Sequence, residues 1–414
     1  MNAPDKLYPD LRLDGIRAYF PCFASAEWEG VRYLDNAATT QKPAQVIEAV
    51  RRSMAVGTAP IHRGLYPLAE QATFDYERAR STLASFIDAR CAKEIVFCAS
   101  ATDAIGRVAT GWAARIGAGD EICVTRMEHH SNLLPWQRLC RERRARLRFI
   151  EITADGRLDL ASARSCIGAR TRLVALCHVS NVLGTVNPVP EVVAIAHQHG
   201  AHVLVDAAQS IAHLPVDVQQ LGCDFLMFSG HKMYGPSGIG VLWGRRALLE
   251  AMEPALLGGG IVTSVGEHSA QWRDAPHRFE AGSPNLAGAA GLEAAARMLS
   301  AFAPGALYRH LGQLTEYLLD RLRRLAGVTL YGPTEPTERV GIASFQLAGI
   351  HPHDVAAACG DLRVCVRAGN HCCQLLHERL GEPGSVRASL GIYSTRDDVD
   401  ALVSALDYTR GQMQ

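Results

Sequence analysis

Two charged residues stand at the ends of apolar runs, and together they could carry out amine chemistry. One run ends in a polar loop that presents Ser229, His231 and Lys232. An earlier run, 201–205, ends in Asp206. A lysine that is desolvated at a strand end can act as an amine nucleophile toward an aldehyde, and a buried carboxylate can keep a pyridinium nitrogen protonated. The pair therefore predicts a site for pyridoxal 5'-phosphate.

Each of these two residues also has a simpler interpretation. Lys232 could be a solvated lysine of a surface loop, because its long stem lets the charge reach water. Asp206 could cap the segment that follows it. The presence of both residues at strand ends favours the cofactor site over the two separate alternatives.

Two further segments offer groups for the same cofactor. Thr102 opens a predicted helix after the run 94–98, so its hydroxyl and the nearby backbone N–H groups are placed to hold a phosphate, although a hydroxyl there is also an ordinary helix cap. His129 follows the run 121–125, where an imidazole could stack on a flat ring. The neighbouring His130 also suggests a metal site, but neither HExxH nor CxxC spacing accompanies it, and we expect no metal.

Cys372 is the candidate nucleophile among twelve cysteines. It lies in a turn-forming segment beside His371 and near Arg367. Positive neighbours and exposure lower the pKa of a thiol, and the thiolate is the form that attacks sulfur. Most cysteines are inert and buried, so it is the position beside His371 that favours a reactive role.

These residues can meet only in a fold that brings several strand ends together. The pattern of residues 92–242 predicts such a fold. Short β-rich runs alternate there with helical patterns, which is typical of βαβ units and a parallel sheet. Open sheets of this kind bind ligands at the carboxyl ends of their strands. The predicted strands are 94–98, 121–125, 147–152, 172–177, 202–206 and 224–229, and the predicted helices are 102–116, 132–146, 160–169 and 190–199.

A second region follows a long predicted helical stretch over 286–325. Its predicted elements are strands 328–331, 342–347, 364–367 and 386–390 and a closing helix 396–410. We therefore expect an α/β fold with a large, mostly parallel mixed sheet flanked by helices, and a smaller C-terminal α+β domain. The expected division is an arm over 1–30 that packs with the small domain, a large domain over 31–290, and a small domain over 291–414 that carries the Cys372 loop.

Composition excludes several classes of partner. The 414 residues include 42 Lys and Arg and 42 Asp and Glu, so the chain has none of the broad basic field that binds nucleic acid or an anionic membrane. The first 14 residues are charged and lack the apolar core of a leader, and the uncharged stretch 173–190 is too polar to span a bilayer. The scattered cysteines are typical of a reducing compartment, and we expect a cytoplasmic protein.

Motifs along nearly the whole chain resemble those of the class V, fold-type I pyridoxal phosphate enzymes, and specifically the SufS-type cysteine desulfurase and selenocysteine lyase group. This resemblance implies a homodimer that takes sulfur from L-cysteine, releases L-alanine and keeps the sulfur as a persulfide on one cysteine. The matching motifs begin at Tyr33 (YLDNAA), His62 (HRG), Met127 (MEHH), His178 (HVSNVLGT), Asp206 (DAAQ), Ser229 (SGHK), Phe279 (FEAGSPN), Arg367 (RAGNHC) and Arg387 (RASL).

The resemblance also implies a role for each matching residue. Lys232 would bind the cofactor and carry protons, Asp206 would partner the ring nitrogen, and Gln209 would donate to the ring hydroxyl. His129 would stack on the ring and Cys372 would be the nucleophile. The phosphate would be held by Thr102, Ser229, His231 and, from the other subunit, Ser283. The substrate would be held by Asn181, Arg387, Arg367 and His62, since a guanidinium matches a carboxylate bidentately.

The nucleophile segment departs from the usual pattern of that group at three positions. Asn370 replaces a histidine, Cys373 an alanine and Leu375 a proline. Asn370 removes one possible cation, and the lost proline predicts a looser or redirected loop. A vicinal thiol at Cys373 could also take the sulfur from a persulfide on Cys372.

Two other functions are compatible with these residues. One is a different reaction on the same cofactor, such as selenocysteine lysis, C–S lysis of a cysteine conjugate, or epimerisation. The other is a non-catalytic scaffold of a sulfur pathway, which would need no such complete set of polar groups. For the desulfurase itself, we expect a protein sulfur acceptor, as in iron–sulfur cluster assembly.

Overall fold

The computed structural model describes residues 11–303 and 305–413. Residues 1–10, which open the expected N-terminal arm, lie outside the described part. The α-helices are α1 Ala44–Val56, α2 Pro67–Phe86, α3 Ala101–Gly111, α4 Leu134–Arg143, α5 Leu160–Cys166, α6 Val189–Gln198, α7 Val218–Leu221, α8 Arg246–Glu250, α9 Leu286–Ala301, α10 Ala306–Arg324, α11 Pro352–Asp361, α12 Gln374–Leu380 and α13 Arg396–Met413. No helix within the described ranges is long and apolar enough to cross a bilayer.

The strands form one large sheet, one smaller sheet and two pairs. They are β1 Arg32–Tyr33, β2 Ile95–Cys98, β3 Glu121–Thr125, β4 Arg146–Ile150, β5 Thr171–Cys177, β6 His202–Asp206, β7 Phe225–Ser229, β8 Gly240–Gly244, β9 Val262–Val265, β10 Ala270–Trp272, β11 Val328–Tyr331, β12 Ile342–Leu347, β13 Val364–Cys365, β14 Arg367–Gly369 and β15 Ser385–Ser389.

The large sheet has seven strands in the order β2-β8-β7-β6-β5-β3-β4. Neighbours from β7 to β4 are parallel, whereas β8 runs antiparallel to both β7 and β2. Alternate residues face opposite sides: Val203 and Val205 join the core that contains α2 and α6, and Leu204 joins the core that contains α3 and α4. The predicted mostly parallel mixed sheet with helices on both faces is confirmed.

Several predicted boundaries differ from the structure. The helix expected over 132–146 ends at Arg143, because Arg144 is left-handed at φ 56° and β4 begins at Arg146. The helical stretch expected over 286–325 is two helices, separated where Gly305 adopts φ 72°. Strand β8 had no separate prediction, although its five residues are all buried.

The C-terminal region contains the antiparallel sheet β11-β12-β15-β14. Strand β1 pairs in parallel with β13, so the segment near residue 32 joins this region. Phe20 nevertheless stacks edge-on against Tyr393 and Tyr234, at ring centroid distances of 4.7 and 5.9 Å. The N-terminal segment therefore contacts both regions, and the division at 30 and 290 stays a prediction.

A buried ion pair ties α2 to the segment before α9. The guanidinium of Arg80 makes two bonds to Glu280, at 2.6 and 2.9 Å. Glu280 also accepts the Phe97 backbone N–H at 2.8 Å and the Tyr76 hydroxyl at 2.9 Å. Both charged side chains are buried, at 1% and 8% exposure, and Arg80 has a further ionic partner in the more exposed Glu77 at 2.9 Å, so Glu280 is its buried counter-charge.

Removal of one partner of this pair tests its contribution to stability. We expect Glu280→Ala to lower the free energy of unfolding by about 3 kcal/mol, because the buried Arg80 charge then keeps only the partly exposed Glu77 carboxylate as its ionic partner. Urea unfolding followed by circular dichroism measures the change. As a control, Glu48→Ala breaks an exposed ion pair with Arg51 and should leave the free energy of unfolding nearly unchanged. Equal stability of the Glu280 and Glu48 variants would contradict this role.

Candidate active site

One cavity lies where the carboxyl ends of the sheet meet the C-terminal region. Its volume is about 210 Å³. Parallel strands bring their carboxyl ends to the same edge, so residues that follow β3, β5, β6 and β7 meet there. The lining includes ten of the thirteen residues singled out from the sequence, namely Thr102, His129, Asn181, Asp206, Gln209, Ser229, His231, Lys232, Arg367 and Arg387.

Lys232 and Asp206 are the charged pair at this sheet edge. Burial lowers the pKa of Lys232, and the nearby Asp206 carboxylate opposes that shift. Burial raises the pKa of Asp206, while the Ala208 backbone N–H, 2.9 Å from its Oδ1, stabilises the charged form. The arrangement can therefore hold an amine of reduced basicity close to a buried acid, which is what aldehyde chemistry requires.

The end of the cavity near α3 is built from hydroxyls and a helix N-terminus. Ser100 caps α3 by accepting the Asp103 backbone N–H at 3.2 Å, and Ser229 accepts the Ala101 N–H at 2.8 Å. The Thr102 hydroxyl lies 2.7 Å from that of Ser131. Hydroxyls grouped at the positive end of an eleven-residue helix suit a phosphate.

His129 is held as a neutral ring. Its Nδ1 accepts the Ser131 backbone N–H at 3.1 Å. Burial, with the nearby Lys232 charge, lowers the pKa of His129 to about 3. A neutral imidazole can stack on a flat cofactor, as the sequence predicted. Gln209 lines the same cavity and donates one amide N–H to the Ala37 carbonyl at 2.8 Å.

Two guanidinium groups approach the cavity from adjacent strands, since Arg367 of β14 lies opposite Arg387 of β15. Arg387 is 1% exposed, and it donates to the Asn181 carbonyl at 2.9 Å and to Asp35 Oδ1 at 3.1 Å. Its Nε has no partner among the described residues. The site therefore keeps a buried donor available, which suits the carboxylate of a substrate.

The nucleophile candidate lies in a tightly bonded turn rather than a loose loop. His371 and Cys372 are both left-handed, at φ 52° and 58°. Asn370 accepts the Cys372 backbone N–H on its Oδ1 at 3.1 Å, and its carbonyl accepts the Cys373 N–H at 2.8 Å. The His130 N–H donates to the Cys372 carbonyl at 2.8 Å. Asn370 therefore supplies a turn-forming hydrogen bond in place of the lost cation, and the effect of the lost proline stays a prediction.

His371 does not supply the positive charge expected beside Cys372. The ring is only 2% exposed, and burial lowers the pKa of His371 to about 2. Its Nε2 lies 3.2 Å from the hydroxyl of Ser385, inside the C-terminal region. The sequence argument for the Cys372 thiolate from a neighbouring cation is wrong in this respect. His371 itself lines the cavity, whereas Cys372 follows it and is half-buried.

His62 and Ser283 lie away from Lys232 within one chain. Both line a second cavity of about 680 Å³. His62 Nε2 lies 3.5 Å from Glu77, and its ring centroid is 4.9 Å from that of His277. The resemblance placed Ser283 at the phosphate of the other subunit, so its position here stays a prediction for the assembled protein.

Sequence reasoning missed four residues of the site. Ser131 holds His129, Cys177 lines the cavity, Asp35 holds Arg387, and Glu128 accepts the Cys177 backbone N–H at 2.9 Å. Cys177 is the last residue of β5 and is opposite Asp206 in register, so the strand-end rule could have found it. Burial raises the pKa of Glu128 to about 7.

Comparisons with known proteins agree with this site. Residues 32–402 match the family described as Aminotransferase class-V. The chain is 44% identical to the cysteine desulfurase of Escherichia coli (strain SE11) over 398 residues, 95% of this chain and 97% of that protein. It is 45% identical to a probable cysteine desulfurase of Halalkalibacterium halodurans, over 91% of this chain and 93% of that protein.

Solved structures lead to the same family. The apo cysteine desulfurase of Thermococcus onnurineus NA1 superposes with a TM-score of 0.92 at 38% identity, over 97% of this chain and 99% of that one. The S-sulfonic acid form of the Escherichia coli cysteine desulfurase CsdA gives 0.90 at 35% identity, over 98% of this chain and 100% of that one. The chain belongs to the aminotransferase class-V family.

Proposed function

We propose that this protein is a pyridoxal phosphate-dependent cysteine desulfurase, which converts L-cysteine to L-alanine and keeps the sulfur as a persulfide on Cys372. The observation that carries the proposal is the single cavity in which Lys232, Asp206 and Arg387 meet the turn that holds the cysteine. Relatives of similar length at 44–45% identity are named cysteine desulfurase or probable cysteine desulfurase.

The residues present fit pyridoxal phosphate. Lys232 would bind its aldehyde, Asp206 would partner its ring nitrogen, and Gln209 would donate to its ring hydroxyl. Its phosphate would lie at the N-terminus of α3, where Thr102, Ser229 and His231 supply polar groups. When bound, the cofactor supplies an electron-withdrawing ring conjugated to the substrate α-carbon. The neutral ring of His129, which lines the same cavity, would stack on the cofactor ring.

Substrate binding would depend on Arg387, with Arg367 and Asn181 beside it. The Nε–H of Arg387 has no partner among the described residues, and the contacts of its two terminal nitrogens fix the plane of the guanidinium. Lys232, made less basic by burial, can take the α-proton of the held amino acid and return a proton at the end.

Cys372 would then accept the sulfur. Its thiolate attacks the substrate sulfur, and the C–S bond breaks with its electron pair left on the substrate carbon. That carbon takes up a proton and becomes the methyl group of L-alanine. The outer sulfur of the persulfide then passes to a protein acceptor. Because this chemistry needs a free thiol, we place it in the cytoplasm.

A homodimer would complete the site. Seven large apolar side chains in or next to α1 and α2 are exposed in one chain, and Leu65 reaches 96% exposure. Exposed apolar residues grouped in this way mark interaction surfaces. The seven residues are Ile47, Met54, Val56, Leu65, Tyr66, Leu68 and Phe74.

Replacement of Cys372 tests the reaction. We expect Cys372→Ala to reduce alanine formation from L-cysteine to background, because no thiolate is left to accept sulfur. Cys359→Ala, which removes a buried cysteine of the C-terminal region, should keep full activity. Selenocysteine, a proposed second substrate, offers a comparison by the same alanine assay. Undiminished alanine formation from cysteine by Cys372→Ala would contradict the role of Cys372, whereas pyruvate and sulfide in place of alanine would favour a C–S lyase without a protein nucleophile.

The pH dependence tests the neutral histidines. His371→Asn should leave the shape of the kcat/KM profile between pH 5 and 8 unchanged. Burial lowers the pKa of His371 to about 2, so the neutral ring takes up no second proton in this pH range. Asparagine also tolerates the left-handed backbone. An acid limb near pH 6.5 in the wild-type protein that disappears in this variant would contradict the neutral state.

The molar mass of the protein in solution tests the proposed contact between subunits. Light scattering should give about twice 44.8 kDa for the wild-type protein. We expect Leu65→Asp to shift the protein toward the monomer, since a charge would be buried in the contact. Tyr408→Asp changes an exposed aromatic on α13 and should leave the mass unchanged. A monomeric wild-type protein would refute the dimer.

A further inference from the structure

We propose that Cys373 is a positioning residue, whose thiol orients the Asn181 amide so that an amide N–H faces the substrate carboxylate. This inference rests on the proposed function, and it gives Cys373 a role other than that of a second sulfur carrier.

The thiol of Cys373 is directed into the protein. Its Sγ lies 2.9 Å from Asn181 Oδ1 and 3.7 Å from the Met127 carbonyl. The side chain is 1% exposed and belongs to an apolar cluster with Cys177 and Leu376. Its neighbour Cys372 is half-buried, so the two adjacent cysteines have opposite environments.

The contacts of Asn181 leave only one orientation for its amide. Oδ1 accepts from the thiol, and Nδ2 donates one N–H to the His371 carbonyl at 2.9 Å. A flipped amide would set its oxygen against that carbonyl, where neither atom can donate. The second Nδ2 hydrogen is left for the cavity, which Asn181 lines together with Arg387. Without the thiol, a buried oxygen would lose its donor.

The same geometry opposes sulfur transfer to Cys373. A persulfide adds a sulfur about 2.05 Å beyond Sγ, and Asn181 already stands 2.9 Å away. Burial, the largest influence, also raises the pKa of the Cys373 thiol, whereas the thiolate is the attacking form. Cys373 therefore acts through Asn181 and not as a nucleophile.

Two variants and a matched control test this role. Cys373→Ala removes the donor and Cys373→Ser keeps one, while Cys359→Ala removes an equally buried cysteine elsewhere. KM and kcat are measured with L-cysteine, and the dissociation constant of L-alanine is measured from the absorbance of the bound cofactor. We expect Cys373→Ala to raise both KM and that constant about three- to tenfold with little change in kcat. Cys373→Ser and Cys359→Ala should stay close to the wild-type protein.

A double-mutant cycle separates orientation from packing. If Cys373 acts through Asn181, then Cys373→Ala should have little further effect on L-alanine binding in an Asn181→Ala background. Additive effects would overturn the proposal, as would unchanged L-alanine binding by Cys373→Ala. Mass spectrometry after a cysteine pulse gives an independent test, because sulfur found on Cys373 would also overturn it.

Failure of the proposed function would look different. Wild-type protein that binds the cofactor but forms no alanine from L-cysteine would refute the desulfurase. L-alanine binding by the same variants would still decide the role of Cys373.

Discussion

The site depends on keeping an amine and a carboxylic acid out of water at one sheet edge. Burial alone would drive Lys232 and Asp206 toward their neutral forms, and the attraction between their charges works in the opposite direction. The parallel strands make this balance possible, because β6 and β7 are buried on both faces and deliver the two residues at neighbouring carboxyl ends. The remaining polar groups are arranged around that pair.

Local sequence could predict the sheet-edge half of the site but not the half supplied by distant segments. Asp206 and Lys232 follow apolar runs, so strand-end reasoning was enough to place them. Asp35 and Arg387 are 352 residues apart, and only the fold shows that they form an ion pair. His371 was misjudged for the same reason, since the residues that bury it include Ser385, fourteen positions later. Strand β8 was not predicted, because periodicity alone does not distinguish a short apolar run from a buried segment of helix.

Arg387 illustrates how a cation can be buried and still remain available. Asp35 compensates part of its charge, and the Asn181 carbonyl fixes one further N–H. Burial nevertheless lowers the pKa of Arg387, so its charge is only partly compensated before any ligand arrives. Its Nε, which has no partner among the residues that the structure describes, is a donor left for a second carboxylate.

The hydrogen bond from the His130 N–H to the Cys372 carbonyl joins the segment that holds His129 to the turn that holds the thiol. The His130 ring adds a second link, since its Nε2 accepts the Gln374 N–H at 3.4 Å. These two hydrogen bonds connect the region of the large sheet to the C-terminal region. The position of the Cys372 turn relative to His129 therefore depends on contacts made by the residue next to that histidine, and not only on the packing of the C-terminal region.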